Sequence, residues 1–482
     1  MPEISLTPQM VDRFLARFGE NIAILHSKLS SGERYDEWQK IKNEQIQIVI
    51  GARSAIFAPV KNLGIIIIDE EHDISYKSDT TPRYNAKDLA KYIAEKNSCP
   101  LVLGSATPDI SSYYEAKETK KSNLYTLTKR ANHANLPKIE TIDLRKELAL
   151  GNKSMISFKL QEEIKKNLEN KQQTILFLNR RGYSTFLICR DCGYVFKCKN
   201  CNISLTYHKF DNKLKCHYCG FEQNITNVCP ECNSNKVKYF GTGTQKLEEE
   251  VHKLFPESST IRMDIDTVTQ KNSHEKILNK FKNEGIDILI GTQMVVKGHH
   301  FPNVTLVGSV AADSILNLED YRATEKTFQT LVQVAGRSGR ELPGRVIIQT
   351  YNPDNYAIIH SQSQNYEAFY NTEIRLRKML KYPPFCDIIL IRFQGTDLME
   401  LQSVAKIVYK NLLEFQKENI AIYKPVPAPI DKIKNKYRWR MILKCKVNSK
   451  MLDIIKSSVE DERIIKYKKT SVIVDINPNN LS

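Results

Sequence analysis

The sequence lacks three features that would each have assigned it to a class of protein. No apolar run among its 482 residues approaches the roughly 20 residues of a membrane-spanning helix. The N-terminus has no charged segment followed by an apolar stretch, so we expect no secretory signal and no membrane, and we place the protein in the cytoplasm. No Gly-Lys dipeptide occurs, which excludes the phosphate-binding motif Gly-x-x-x-x-Gly-Lys-[Ser/Thr] from this chain.

The composition indicates a globular protein with a basic surface. At this length two to four domains are expected, and a hydrophobic fraction of 41% is ample for buried cores. The net charge of +16 and the sequence pI near 9.1 favour a polyanionic partner. A lysine-rich composition also arises from codon bias in an AT-rich genome, so charge alone does not decide the partner.

Cysteine is concentrated in one short stretch. Eight of the 11 cysteines form four Cys-x-x-Cys pairs, and two pairs together supply the four thiolates of a tetrahedral zinc shell. The eight sulfurs therefore predict two zinc ions. The pairs are Cys189/Cys192, Cys198/Cys201, Cys216/Cys219 and Cys229/Cys232.

The spacing of the four pairs predicts how they share the two ions. The 14 residues between Cys201 and Cys216 resemble the gap between the two cysteine pairs of a zinc ribbon. The five residues between Cys192 and Cys198 are too short a spacing for those two pairs to bind the same ion. We therefore expect a nested arrangement, in which the two inner pairs hold one ion and the two outer pairs hold the other. Disulfides and an iron–sulfur centre remain alternatives, and closed all-cysteine sites are usually structural.

Two series of short apolar strands alternate with amphipathic helices and predict two parallel sheets, each covered on both faces. The predicted strands of the first series are Gln47–Ile50, Ile65–Ile68 and Leu101–Leu103, and the predicted helices are Ser31–Glu44 and Asn85–Lys96. The predicted strands of the second series are Thr174–Leu178, Thr260–Arg262, Ile286–Ile290, Val304–Val307 and Arg345–Gln349. The cysteine stretch interrupts the second series after its first strand.

Chemically suggestive residues follow several of these strands. Asp69 and Glu70 end a hydrophobic strand, where Asp69 can hold Mg²⁺ and Glu70 can orient a water molecule, although a solvated turn gives the same pattern. Thr107, after the next strand, can sense a phosphate. Gln333 precedes Arg337 and Arg340, whose guanidinium groups suit a transferring phosphoryl group.

In this order, the motifs resemble those of superfamily 2 helicases and, within them, the primosomal replication-restart helicases. The resemblance covers nearly the whole chain and includes the eight cysteines. Its further motifs are His26–Ser30, Gly51–Ser54, Asp69–His72, Gly104–Pro108, Leu178–Tyr183, Gly241–Gln245, Gly291–Arg340, Tyr382–Phe385, Pro427–Pro429 and Tyr437–Trp439.

The resemblance implies an α/β fold with two RecA-like parallel-sheet lobes, the first incomplete, a two-zinc ribbon-like insertion in the second, and an α+β C-terminal domain. The expected boundaries are 1–125 for partial lobe one, 126–152 for a linker, 153–360 for lobe two with the insertion at 189–232, and 361–482 for the C-terminal domain. The implied activity is ATP-driven 3′→5′ unwinding of DNA at abandoned forks, together with loading of the replicative helicase. The implied partners are forked and single-stranded DNA, primosome proteins, the replicative helicase and its loader, and single-stranded-DNA-binding protein.

On this resemblance, roles are expected for individual residues. Asp69, Glu70, Arg337 and Arg340 would act on ATP and Mg²⁺, and His72, Thr107 and Gln333 would couple nucleotide to DNA. An aromatic and basic loop past the acidic box would report bound single-stranded DNA, although its aromatics could instead pack on their own lobe. The residues expected near DNA are Arg53, Tyr76, Lys77, Arg83, Tyr84, Thr292, Gln293 and Lys297.

The missing phosphate-binding loop is the main departure from this family. The chain starts where the family sequence continues after that loop, so we expect an N-terminal truncation and poor ATP hydrolysis by this chain alone. A decayed or split gene, a missed upstream start and a companion chain would each explain it. One alternative function is a DNA-binding and loading scaffold that does not hydrolyse ATP, and another is a zinc-ribbon nucleic-acid protein unrelated to replication.

Overall fold

A computed structural model describes residues 1–2, 8–19, 21–26, 29–129, 136–178, 186–208, 212–240, 243–264, 273–292, 295, 301–339, 342–416 and 420–481. The chain divides into two compact units, Met1–Tyr125 and Thr126–Ser482.

The first unit contains two pairs of parallel strands, β1 with β2 and β3 with β4. The strands are β1 (Ile22–Leu25), β2 (Ile48–Gly51), β3 (Ile66–Ile68) and β4 (Leu101–Leu103). The helices are α1 (Pro8–Phe18), α2 (Ser31–Lys42), α3 (Ala86–Lys96) and α4 (Ile110–Lys117), with 3-10 turns at Arg53–Phe57 and Ile74–Tyr76.

Strand β3 buries only one of its faces. Ile66 and Ile68 pack with Ala86 and Ala90 of α3, because alternate residues of a strand point to the same side of a sheet. Ile67, on the other face, is 63% exposed. The packed face fixes the strand that leads into the acidic box.

The second unit is built on a six-stranded sheet in which all strands are parallel, in the order β12-β13-β6-β14-β15-β5. Its strands are β5 (Lys138–Asp143), β6 (Gln173–Phe177), β12 (Thr260–Met263), β13 (Ile288–Gly291), β14 (Val304–Ser309) and β15 (Arg345–Thr350). The accompanying helices are α5 (Leu144–Ala149), α6 (Phe158–Glu169), α7 (Thr244–Leu254), α8 (Ser273–Asn283), α9 (Asp313–Leu316), α10 (Ala323–Ala335), α11 (Tyr356–Gln362) and α12 (Tyr366–Met379).

Both faces of this sheet are packed, which is why its central strands are continuous apolar runs. Ile175 and Phe177 of β6 belong to one apolar cluster, and Leu176 belongs to the cluster on the opposite face. The parallel α/β architecture and the predicted strands are therefore confirmed, with boundaries that differ by one or two residues. The expectation that the first sheet is covered on both faces is wrong, because its described strands form two separate pairs and Ile67 is exposed. The sequence prediction also missed β1.

The segment predicted as a linker, 126–152, needs correction. It contributes β5, which pairs with β15 along its whole length, and helix α5. Strand β5 contains three charged residues among its six because it lies at the edge of the sheet, and this polarity hid it in the sequence. The cysteine insertion therefore follows the second strand of this sheet, β6.

The insertion consists of short antiparallel strands, and we call the segment 186–240 the cysteine module. Its strands are β7 (Phe186–Cys189), β8 (Thr206–His208), β9 (Lys213–Lys215), β10 (Glu222–Asn224) and β11 (Val237–Phe240). β7 pairs with β11, so the ends of the module close on each other, and β8, β9 and β10 form a separate sheet.

The C-terminal region is an α+β sandwich, as predicted. Its antiparallel sheet contains β16 (Asp387–Gly395), β17 (Ala421–Ile422), β18 (Val426–Ile433), β19 (Lys436–Cys445) and β20 (Thr470–Ile476). Its helices are α13 (Leu398–Leu413), α14 (Ser449–Val459) and α15 (Glu462–Ile465). Across the described ranges, we find no helix with the length and apolarity to cross a bilayer.

Candidate nucleotide site and zinc centres

The acidic box begins directly after β3. Asp69 is exposed at the carboxyl end of that strand, the edge of a parallel sheet where ligands bind. Its side chain accepts a hydrogen bond from the Glu70 amide at 3.0 Å, and its carbonyl accepts one from the Tyr76 hydroxyl at 2.6 Å. Glu70 has a φ of 47°, in the left-handed region that non-glycine residues seldom adopt. The carboxylates of Asp69 and Glu70 therefore lie on a turn whose backbone conformation is held by hydrogen bonds.

The predicted coupling residues of this unit meet at Ser105. His72 Nδ1 lies 2.7 Å from Ser105 Oγ and 3.5 Å from Glu70 Oε2. The buried Thr107 donates its amide to Ser105 Oγ at 3.0 Å. The structure therefore brings Glu70, His72 and Thr107 together through a serine that the sequence did not single out.

Glu71 is a second residue that sequence reasoning missed. Its carboxylate is buried and accepts hydrogen bonds from the Asp109 amide at 2.6 Å, Ser112 Oγ at 3.0 Å and Lys87 Nζ at 2.9 Å. Burial alone would lower the pKa of Lys87, but the carboxylates of Asp109 and Glu71 outweigh it and raise that pKa. In the sequence Glu71 is the third consecutive acidic residue after a strand, and nothing in that pattern indicated that its side chain is buried.

The structure corrects part of the predicted DNA-contacting loop. Tyr76 and Lys77 are 3% and 8% exposed, and the Lys77 ammonium donates to the Arg83 carbonyl at 2.8 Å, so neither side chain is available to a base. Their burial matches the alternative that the loop packs on its own lobe. Arg83 and Tyr84 are half-buried, and Tyr84 packs edge-on against Phe57.

Arg53 holds this loop in place. Its guanidinium donates to the carbonyls of Ser75 and Lys77 at 3.0 and 2.7 Å, and it lies over the Tyr84 ring at 5.7 Å. Any direct contact of Arg53 with DNA would therefore compete with its hydrogen bonds to the loop.

In the second unit, the described site residues lie near opposite ends of the parallel strands, some at the carboxyl ends and some at the amino ends. Thr292 follows the carboxyl end of β13. Gln333 lies in the last turn of α10, and Arg337 follows on a turn whose Ser338 hydroxyl donates to the Thr305 carbonyl at the start of β14 at 2.9 Å. The structure therefore does not bring Thr292 and Arg337 together. Arg340, Gln293 and Lys297 lie outside the described residues.

The eight module cysteines form two groups of four, in the nested division that the spacing predicts. Cys189, Cys192, Cys229 and Cys232 form the outer cluster, and Cys198, Cys201, Cys216 and Cys219 form the inner cluster. Within each cluster the sulfurs lie within 4.8 Å of one another. The Sγ atoms of Cys189 and Cys232 lie 3.7 Å apart, and those of Cys198 and Cys219 lie 3.5 Å apart. A zinc tetrahedron with bonds of about 2.3 Å has edges of roughly 3.8 Å, so both clusters fit Zn²⁺.

All four Cys-x-x-Cys pairs share one turn. The amide of the residue after the second cysteine donates to the carbonyl of the first cysteine at 2.8 or 2.9 Å. That residue always has a positive φ, which glycine adopts freely and asparagine tolerates. The four residues are Gly193, Asn202, Gly220 and Asn233. A Cys-x-x-Cys-[Gly/Asn] pattern was thus a signal in the sequence that went unused.

The inner cluster is built into the C-terminal region. Cys198, Cys201 and Cys216 belong to one buried apolar cluster that also contains Tyr382 and Ile442. The Tyr382 hydroxyl donates to the Cys201 carbonyl at 3.1 Å. This packing gives the metal-binding turns a core that the small module does not supply by itself.

A buried carboxylate, Glu319, lies at the junction of the module and the C-terminal sheet. It accepts hydrogen bonds from Thr206 Oγ1 at 2.9 Å and the His217 amide at 2.6 Å, and Arg440 Nη2 lies 3.4 Å away. Burial, only partly offset by the Arg440 charge, raises the pKa of Glu319 to about 7. The carboxylate joins three parts of the chain that are distant in sequence.

Four family models match the chain, in an order consistent with this architecture. They are the DEAD/DEAH box helicase model at 1–116, the PriA DNA helicase Cys-rich region (CRR) domain at 198–223, the helicase conserved C-terminal domain at 223–341, and the primosomal protein N C-terminal domain at 378–479.

Curated relatives named replication restart protein PriA align with nearly the whole chain. The Bacillus subtilis protein is 47% identical over 99% of this chain and 60% of its own length. The Synechocystis protein is 44% identical over 100% of this chain and 58% of its own length. The Rickettsia felis protein is 40% identical over 92% of this chain and 68% of its own length. The chain thus spans 58–60% of the first two relatives.

Proposed function

Because the chain belongs to the family of the replication restart protein PriA, we propose that it acts in the cytoplasm as an ATP-dependent DNA helicase of the primosome. In this proposal it binds abandoned forks, unwinds DNA in the 3′→5′ direction and helps to load the replicative helicase. The proposed partners are forked and single-stranded DNA, the primosome proteins, the replicative helicase and its loader, and single-stranded-DNA-binding protein.

One observation supports the proposal most strongly: the acidic residues after β3 lie on an ordered turn. Asp69 and Glu70 stand at the carboxyl end of β3, and Glu70 lies beside His72, which contacts Ser105 in the loop after β4. A zinc-ribbon protein unrelated to replication does not require this acidic turn. A scaffold that does not hydrolyse ATP is not favoured, because both helicase family models match the chain.

The proposed roles follow from the chemistry of each group. Bound ATP with Mg²⁺ would be hydrolysed, and the free energy of that phosphoryl transfer would drive unwinding. Asp69 would hold the metal ion and Glu70 would orient the attacking water, because a carboxylate at that position accepts the proton of a nucleophile. Arg337 and Arg340 would stabilise the charge of the triphosphate.

The remaining residues are assigned to coupling and to DNA. His72 and Thr107, joined through Ser105, would relay the state of the nucleotide, together with Gln333 of α10. The exposed parts of Arg83 and Tyr84, with Thr292, Gln293 and Lys297, would contact DNA. Arg53, Tyr76 and Lys77 would act indirectly, by shaping the loop.

Strand displacement from forked DNA with a single-stranded 3′ or 5′ tail tests the proposal. Purified protein should release the strand from the 3′-tailed fork only with ATP and Mg²⁺, and it should do so slowly because the chain contains no Gly-Lys phosphate-binding motif. Glu70→Gln should lose this activity while it binds the fork within about twofold of wild type. Fork binding without any hydrolysis would support the scaffold instead. Absence of fork binding would overturn both functions.

A further inference from the structure

The carboxylate of Glu71 connects the acidic box to two helices. The side chain is 2% exposed. Its Oε1 accepts from the Asp109 amide at 2.6 Å, and its Oε2 accepts from Ser112 Oγ at 3.0 Å and from Lys87 Nζ at 2.9 Å. Lys87 belongs to the first turn of α3, and Asp109 and Ser112 belong to the start of α4. One buried group thus ties the turn after β3 to the elements on either side of β4.

Glu71 is also fixed through its main chain. Its amide donates to the Gly104 carbonyl at 3.0 Å, and the Gly104 amide donates to the Ile68 carbonyl at 2.8 Å. Gly104 starts the loop that carries Ser105 and Thr107, and Asp109 follows the end of that loop. Glu71 therefore holds both ends of the loop, the first with its backbone and the second with its side chain.

The peptide groups around Glu70 are restrained in the same way. Glu70 occupies the left-handed region with a φ of 47°, where a side chain is held only if its surroundings enforce it. The Asp69 carbonyl accepts from the Tyr76 hydroxyl, and the Glu70 carbonyl accepts from the Asp73 amide at 2.8 Å. The next residue in the chain is Glu71, so its anchoring fixes the far side of this unusual turn.

A general stabilising ion pair does not account for this geometry. A carboxylate that only neutralised Lys87 would need one contact, whereas Glu71 accepts from a main-chain amide and a hydroxyl as well. Both donors lie directly after the loop that carries Ser105, and Ser105 contacts His72 beside Glu70. Because His72 contacts both Ser105 and Glu70, a displacement of this loop by about 1 Å would change the direction in which Glu70 points.

We propose that Glu71 is a positioning residue, which aims the Glu70 carboxylate by locking the Ser105–Thr107 loop and the left-handed turn to each other. This inference rests on the proposed function, in which Glu70 orients the attacking water. It assigns to the third residue of the box a task in the chemical step, performed without contact with the nucleotide.

Two substitutions of Glu71 distinguish its hydrogen bonds to the loop from its charge opposite Lys87. Glu71→Ala removes all three contacts. Glu71→Gln keeps an oxygen for the Asp109 amide but loses the charge that faces Lys87. Glu163→Ala is the matched control, since Glu163 is 4% exposed and pairs with Arg345, Lys159 and Lys166 on α6 and β15, outside the acidic box.

The first measurement is steady-state ATP hydrolysis stimulated by forked DNA. Misplacement of a catalytic group costs on the order of 10- to 100-fold in kcat, so Glu71→Ala should lose that much while KM for ATP changes less than about threefold. Glu71→Gln should recover most of the rate. Equal kcat values for Glu71→Ala and Glu163→Ala would overturn the proposal.

The second measurement does not depend on activity. Amide hydrogen exchange over residues 104–112 should accelerate about tenfold or more in Glu71→Ala, because the Asp109 amide loses its acceptor, and it should stay near wild type in Glu71→Gln and Glu163→Ala. If wild-type protein shows no stimulated hydrolysis, the proposed function fails, and this exchange result decides the loop lock by itself. Unchanged exchange in Glu71→Ala would refute the lock.

Discussion

The two cysteine clusters have the same ligands and the same turns, but they lie in different surroundings. In the inner cluster three of the four cysteines are buried, and they share an apolar core with Tyr382 and Ile442 of the C-terminal region. In the outer cluster Cys232 is exposed. The outer turns contact the parallel-sheet domain instead, where the Arg145 guanidinium donates to the Cys192 carbonyl at 3.2 Å.

This difference assigns a separate task to each cluster. The inner cluster joins the cysteine module to the C-terminal sheet, and the outer cluster closes the two ends of the module beside the sheet of the second unit. A module of short strands has little apolar core of its own, so its fold depends on thiolate–metal bonds, which contribute on the order of 10–16 kcal/mol in structural zinc sites. The loss of the inner ion should therefore reach further through the protein than the loss of the outer one.

The largest effect is expected for Cys216→Ser, which removes a buried ligand of the inner cluster. The variant should lose one of two zinc ions per chain and on the order of 10 kcal/mol of folding free energy in the module and the adjoining sheet. Metal analysis, together with limited proteolysis of the C-terminal region, measures both. Retention of two zinc ions would contradict the assignment of this cluster.

Cys232→Ser should also cost one zinc ion, but with a smaller loss of stability, about half of that for Cys216→Ser, because its surroundings are exposed to solvent. Thermal unfolding and the same proteolysis compare the two variants. The C-terminal region should stay resistant to protease in Cys232→Ser. Equal damage in the two variants would remove the distinction between the clusters.

Gly193→Ala should be the more harmful of two matched glycine substitutions, at about 3 kcal/mol. Gly193 has a φ of 79°, and a Cβ there would lie 2.2 Å from the Tyr351 carbonyl oxygen, which cannot move away. Gly220 of the inner cluster has a φ of 75°, but its Cβ would meet only the Val426 side chain at 3.0 Å, so Gly220→Ala should cost about 1–2 kcal/mol. Chemical denaturation measures both changes.

Gly151→Ala is the control for these glycine variants. Gly151 has a φ of 87° and open space around its Cβ position, so its variant reports the backbone cost alone. If Gly193→Ala were no worse than Gly151→Ala, the close contact between the outer turn and the Tyr351 carbonyl, just after β15, would be refuted.

The smallest effect concerns pH and the junction carboxylate. Burial raises the pKa of Glu319 to about 7 from an ordinary 4.5, so the folded state binds this proton more tightly than the unfolded chain does. Its contribution to stability is complete below pH 4.5 and is lost as the pH rises through 7, by at most about 3 kcal/mol.

Unfolding of Glu319→Gln at several pH values measures this contribution. The free energy of unfolding should fall less between pH 5 and pH 8 in Glu319→Gln than in wild type. Thr206→Val is the control, because it removes a hydrogen bond of Glu319 without removing a titratable group. An identical pH dependence in Glu319→Gln and wild type would show that Glu319 does not titrate in this range.

Local patterns in the sequence predicted most of the architecture. Runs such as Ile175–Leu178 mark buried parallel strands, and four Cys-x-x-Cys pairs fix two clusters, because both features depend on residues close together in the chain. Strand β5 escaped detection because an edge strand keeps charged residues.

Contacts between distant residues could not be read from the sequence. Tyr382 lies 181 positions from Cys201, whose carbonyl it contacts, and no local pattern records that pairing. Tyr76 and Glu71 resemble surface residues in their own segments, and only the packing of α3, α4 and the loop after β4 turns them inward. Sequence reasoning therefore located the acidic box but not the residues that shape it.

The most direct test of the account is whether forked DNA stimulates ATP hydrolysis through Glu70. Hydrolysis by wild type and Glu70→Gln should be measured at equal protein concentration, with and without forked DNA. The account predicts slow hydrolysis by the wild-type chain, because the chain contains no Gly-Lys phosphate-binding motif, and it predicts that forked DNA stimulates this slow rate. Glu70→Gln should lose on the order of 100-fold or more of the stimulated rate, with fork binding retained. Equal stimulation in the two proteins would contradict it.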